Sequence, residues 1–171
     1  MASLYQEHLE KIMRFVRTDE EADMLLEGVG LLESALYKAD KDAGRRIIEE
    51  HFSHRMGAEV AALMDAASAG VGGQGPKEAF AELRGLIKEI VVLKIDVAYS
   101  PSEAALDRLH EWVRTNVGKN AVLDIGVDRS LEGGVRMIWR GRYREISLAQ
   151  MIRHVVERER ETIMRELGAK K

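Results

Sequence analysis

Several groupings of side chains in this 171-residue chain are of a type that could do chemistry. His51 and His54 stand three apart beside Glu49 and Glu50, a spacing at which two imidazoles on one helix face can hold a metal ion. The HExxH pattern is absent and no third ligand stands nearby, so the pair reads as a solvated helix edge. Residues 70–75 spell Gly-Val-Gly-Gly-Gln-Gly, a G-x-G-x-x-G string. A dinucleotide site needs that string directly after a strand and opening a helix, where backbone N–H groups and the helix dipole meet a pyrophosphate. Here an Ala-rich helical run precedes it, and a linker is the reading.

Ser130 and Ser147 lack the G-x-S-x-G elbow of a nucleophilic serine. Ser147 reads as a helix N-cap, and Asp128 as the cap of a turn, accepting backbone N–H bonds. Arg136, Arg140, Arg142 and Arg144 punctuate one hairpin. They read either as a solvated strand face that resists aggregation or as a docking surface for an acidic partner. His8, His110 and His154 are isolated among charged residues and read as surface groups. None of these groupings is a nucleophile–base pair, a metal cluster or a phosphate loop. The expectation is no catalytic, cofactor-binding or metal-binding residue and no cofactor: an assembly part rather than an enzyme. The competing enzyme reading would have to use the Gly-rich loop and the histidines.

Helical spacing must position the first half. Tyr5, Leu9, Ile12, Met13 and Val16 draw one apolar stripe. Thr18 with Glu21 makes a capping box, followed by a stripe of Met24, Leu25, Val29, Leu32, Ala35 and Leu36 that Gly28 and Gly30 weaken. A third helix is expected over 40–67, carrying Ile47, Ile48, Phe52, Met56, Val60, Leu63 and Met64. Residues 70–76 form a flexible break. A fourth helix then carries Phe80, Leu83, Leu86 and Ile87.

The period changes from 3.6 to 2 at residues 91–98. Val91, Leu93, Ile95 and Val97 face one side of a half-buried strand, with Lys94 and Asp96 on the other. Residues 100–103, Ser-Pro-Ser-Glu, predict a helix capped by Ser100 with Pro101 first, carrying Ala105, Leu109, Trp112, Val113 and Val117. Leu123, Ile125 and Val127 alternate as a second strand. Val135, Met137 and Trp139 make a third, turning at Gly141 into a short fourth around Tyr143. Ser147 opens a last helix with Leu148, Met151, Ile152 and Val155 as its stripe. The paired Gly133 and Gly134 mark a sharp corner where a neighbouring helix packs on bare backbone. The fold class is α+β: an all-helical bundle over 1–70, a Gly-rich linker at 71–76, and a small β-α-β-β-(β)-α domain over 77–171.

Composition bounds the rest. No apolar run approaches the ~20 residues of a membrane span, and the first residues lack a signal-peptide pattern. The absence of cysteine excludes disulfides and fits a reducing compartment. Residues 1–76 hold 8 Lys+Arg against 14 Asp+Glu, and the remainder 18 against 15. Bases interleaved with acids argue against nucleic acid as a partner.

Residues 127–147 carry a specific pattern: Val127, Asp128, Ser130, Leu131, Gly133, Gly134 and Val135, then Glu145 and Ser147. A strand, V-D-x-S-L-x-G-G-V, a strand, a Gly turn and an acid-x-Ser leading into a final helix resemble the C-terminal domain of the F-type ATP synthase delta subunit. The mitochondrial oligomycin-sensitivity-conferring protein belongs to the same family. Residues 91–98 followed by Ser-Pro-Ser-Glu-Ala-Ala-Leu-Asp-Arg-Leu-His-Glu-Trp-Val also look like the family's preceding strand and helix. The resemblance covers about half the chain, roughly 77–160. Related C-terminal domains occur in the peripheral-stalk E subunit of vacuolar/archaeal-type ATPases and in the flagellar export ATPase regulator, which are the alternative, with a free-standing helical adaptor behind them.

The resemblance implies a non-catalytic peripheral-stalk subunit serving ATP synthesis and proton transport. Its N-terminal part, a six-helix bundle in the family, would grip the N-terminal helices of the alpha subunits. The 77–171 domain would hold the C-terminal helices of the b subunits, with Arg136, Arg140, Arg142, Leu148, Met151, Ile152 and Val155 as candidate contacts. It would reach the membrane only through partners, at the cytoplasmic face of the inner or plasma membrane.

Overall fold

The computed structural model describes residues 4–37, 42–70, 75–131, 133–139, 141–147, 151–153 and 157. Among these, five helices precede the first strand: α1 Leu4–Phe15, α2 Asp19–Ala35, α3 Ala43–His51, α4 His54–Ser68 and α5 Pro76–Lys88. Then come β1 Val91–Val97, α6 Glu103–Asn116, β2 Ala121–Val127, a 3-10 turn at Arg129–Leu131, β3 Gly134–Trp139 and β4 Arg142–Ser147. The chain is α+β, with helices mostly first and strands last. It forms two compact units, residues 1–92 with 109–122 and residues 93–108 with 123–171.

The helical unit is built on apolar stripes that meet in one core of Leu9, Ile12, Val16, Leu25, Val29, Leu32, Val60, Leu63, Phe80, Leu83 and their neighbours. Residues 71–74 of the expected linker lie outside the described residues, but α5 beyond it buries Ala79, Phe80, Leu83 and Ile87 in this core. Residues 77–88 therefore belong with the helices, and the two units part later than the 71–76 segment. Pro76 sits in the first turn of α5, where its missing N–H is no loss. Gly75, the last residue of the Gly-rich string, caps α5, and the element before the string is the helix α4, not a strand. Polar pairs tie the rim: Gln6 to Glu82 at 2.8 Å, His8 to Glu59 at 2.8 Å and Arg84 to Glu33 at 2.5 Å. His8 is thus a tie between α1 and α4, not an isolated surface group.

Thr18 caps α2, its hydroxyl accepting the Glu21 N–H at 3.2 Å. The Glu21 carboxylate returns to the Arg17 N–H at 2.7 Å, one residue earlier than a capping box requires. The buried face of α2 is Ala22, Leu25, Gly28, Val29, Leu32 and Ala35. Met24 and Leu36, expected on that face, are exposed. Gly28 lies on the buried face, and the Phe52 ring fills the space where its Cβ would be.

The helix expected over 40–67 is two helices, parted at Phe52. Phe52 leaves helical geometry at φ −119, ψ 145, and Ser53 restarts the chain as an N-cap, accepting the Met56 N–H at 3.4 Å. His51 and His54 fall on opposite sides of the break rather than on one helix face.

The sheet has strand order β2-β1-β3-β4, with β1–β3 and β3–β4 antiparallel. In β1, Leu93 and Ile95 are buried as the alternation requires, but Val91 at the strand's start is exposed. Helix α6 begins two residues later than expected. Ser102, not Ser100, is its cap, its hydroxyl accepting the Ala105 N–H at 3.3 Å. Its buried residues are Val113 and His110, while Trp112 is exposed. Gly133 and Gly134 have φ of 107° and 116°, so the left-handed backbone itself requires glycine there. Among the described residues no helix is long and apolar enough to cross a membrane.

Candidate functional site

Two residues of the family-like pattern, Asp128 and Glu145, meet Asp96, Arg136 and Tyr143 in one charged cluster on the sheet. Register places Asp96 of β1 opposite Arg136 of β3, and Arg136 opposite Glu145 of β4. Residues opposite one another across strands share a face, so an acid–base–acid row crosses three strands. Asp128, just past β2, supplies the fourth charge. Its backbone N–H is tied to the Val97 carbonyl at 2.9 Å, which fixes the end of β2 against β1.

Arg136 is the hub. Its Nη1 donates to Asp128 Oδ2 at 2.7 Å, with Asp96 Oδ2 at 3.7 Å. Its Nε donates to the Tyr143 hydroxyl at 3.0 Å and lies 3.7 Å from Glu145 Oε2. The guanidinium also lies over the Tyr143 ring, 5.9 Å from its centroid. Tyr143 in turn donates a hydrogen bond to Glu145. The other oxygen of Asp128, Oδ1, accepts the Ser130 N–H at 2.9 Å and the Ser130 hydroxyl at 2.6 Å. Asp128 therefore closes the 3-10 turn with one oxygen and anchors β3 with the other. Gly126 leaves room for Asp96, since a Cβ there would meet its carboxylate.

The chemistry of the cluster follows from these bonds. Ser130, first in effect, and then Arg136 hold the Asp128 carboxyl below the usual carboxylate range. The hydrogen bond to Glu145 pushes the Tyr143 phenol up. The Tyr143 hydroxyl, then Asp128, push the Arg136 guanidinium up. A general acid or base works best with a pKa near the operating pH; Asp128 and Tyr143 are moved away from neutrality. What the arrangement does is hold β2, β1, β3 and β4 in one register through a single cation.

Leu131 is buried under the 3-10 turn, Val135 pairs with Ile146, and Ser147 ends β4 opposite Gly134. The hairpin arginines do not form one patch. Arg136 is consumed by the charged row, whereas Arg142 and Arg144 pair with Trp139 and Met137 and so lie on the other face. Both are exposed, as is Ile146. Met151 and Ile152 are helical and about half exposed. Arg140, Leu148 and Val155 lie outside the described residues, and so does the expected capping contact of Ser147.

Sequence reasoning omitted Asp96 and Tyr143 from the site. Alternation already put Asp96 on the polar face of its strand. Pairing it with Arg136 requires knowing that β1 lies beside β3, which neither composition nor periodicity reveals. Among the described residues, no group of three or more His, Asp or Glu side chains is placed to hold a metal ion. No protein-family model matches the chain, and no curated protein matches it.

Proposed function

We propose that this protein is a non-catalytic peripheral-stalk subunit of a rotary F-type ATP synthase, joining the alpha subunits of the catalytic head to the b subunits of the stalk. The observation that carries the reading is the division of labour between the two faces of the β3–β4 hairpin. One face spends Asp128, Arg136 and Glu145 on internal rigidity. The other presents Arg142, Arg144 and Ile146, and the chain beyond presents Met151 and Ile152. A basic, apolar surface on a rigid hairpin suits an amphipathic helix with an acidic flank. The resemblance of residues 127–147 to the delta family supports the same partner, the C-terminal helices of b subunits. The acid-rich first half suits basic extensions of the alpha subunits. Attachment to the cytoplasmic face of the membrane would then run through these partners.

The test is titration of the full chain with two peptides, one from the N-terminal helix of the alpha chain and one from the C-terminal helix of the stalk's b chain. Saturable binding of each, at separate sites, is expected. A nucleotide that raises the melting temperature by the RT ln(1 + [L]/Kd) of a tight ligand, with neither peptide binding, would favour an enzyme instead.

A further inference from the structure

His110 is the sole buried polar or charged side chain among the described residues, at 5% exposure. Its Nε2 has no hydrogen-bond partner. Buried polar atoms are nearly always bonded, so such an orphan asks for an explanation. The charged groups acting on the ring are Arg114 and Glu111 on its own helix and Arg17 and Glu21 at the α1–α2 corner. Glu21 is already engaged by Arg17 at 2.6 Å. Arg114, one turn further along α6, donates through Nη1 to the Met13 carbonyl at 3.4 Å, in the last turn of α1. Arg14, on that same turn, repels it. Residues 109–116 of α6 are therefore seated at the C-terminal end of α1, with Arg17 and Arg114 acting on a neutral imidazole. A positive charge on the ring would find no acceptor at Nε2, and the corner carboxylate that acts on it, Glu21, is held by Arg17.

We propose that His110 is an acid-sensitive latch: while neutral it lets residues 109–116 of α6 seat against the α1–α2 corner, and its protonation drives that segment off. Burial first, and Arg114 second, lower the ring's pKa from the ordinary histidine value. A released His110 takes up its proton near about 6.5. The released state therefore binds more protons than the seated state below that pH. The opening constant rises up to about tenfold per pH unit on acidification, then levels off below the seated ring's own pKa. Above about 7 the latch is indifferent to pH.

The experiment is amide hydrogen exchange of residues 109–116 in the full chain between about pH 7.5 and 5.5, a range that brackets the released ring's titration, corrected for intrinsic exchange, for wild type and His110→Leu. Wild type should lose protection there by about tenfold per pH unit below about 6.5, and His110→Leu should not. Equal acid loss in both overturns the proposal. An NMR titration of the wild-type His110 ring decides independently of the variant's folding: titration below about 6.5 is expected, and titration at or above it overturns the latch.

Discussion

The Phe52 ring stands where Gly28 would carry a Cβ. Gly28 lies on the buried face of α2, and Phe52 itself stands at the break between α3 and α4. Two glycines two residues apart on α2 should therefore respond in opposite ways to alanine. In an exposed helix interior alanine gains about 1 kcal/mol over glycine. At Gly30 the nearest atom to a new Cβ is 3.8 Å away, so Gly30→Ala should stabilise by up to about that much. Gly28→Ala should destabilise despite the same propensity gain, because the ring must leave its notch. Urea midpoints of the two variants check this; equal stabilisation would show that the notch is not filled.

The two serines that open helices differ from the one that the sequence favours. Ser53→Ala and Ser102→Ala should each cost about 1 kcal/mol, as lost N-caps. Ser100→Ala should cost next to nothing, since α6 starts beyond it. Chemical denaturation of the three variants in parallel measures the contrast.

At the corner before β3, Gly133 and Gly134 hold φ of 107° and 116°. Side-chain-bearing residues in such regions cost of order 1–3 kcal/mol. Gly134→Val should thus be strongly destabilising, while Ser130→Ala removes one exposed hydroxyl and should be mild. A melting temperature for Gly134→Val equal to wild type would contradict the corner geometry.

The charged row has a pH signature. Asp128 has a folded pKa below its unfolded value, so its contribution is present above about 3.9 and is lost as pH falls through the folded value. Arg136→Met removes one of the groups that depress it. The Asp128 carboxylate, followed by NMR, should then titrate at higher pH, while Ser130 keeps part of the depression. An unchanged titration would mean that the 2.7 Å contact between Arg136 and Asp128 does not persist in solution.

Most of the elements were legible because their signals are local: the 3.6 period of the helices, the alternation at 93–95, Thr18 and the Gly pair. What was not legible is relational. Residues 43–68 have an unbroken apolar stripe, and only the notch at Gly28 reveals why Phe52 must step out of it. Trp112 looked like core and His110 like surface because the charged neighbours of His110 in sequence do not tell which way α6 faces. Asp96 joined the site only through strand order, which sets β1 beside β3. Its partner Arg136 is remote in sequence, whereas Tyr143 meets Arg136 within the hairpin.

The face of the β3–β4 hairpin that carries Arg142, Arg144 and Ile146 is the one proposed to receive an acidic amphipathic helix. The most direct measurement is calorimetric titration of a peptide from the C-terminal helix of the stalk's b chain into the full chain and into Arg142→Glu with Arg144→Glu. Like charges brought together at a docking surface cost enough to weaken binding by about tenfold or more, and the loss should shrink as salt is raised. His51→Ala with His54→Ala should bind as wild type does. A double charge reversal that leaves the affinity unchanged, or the absence of any binding by wild type, would contradict the account.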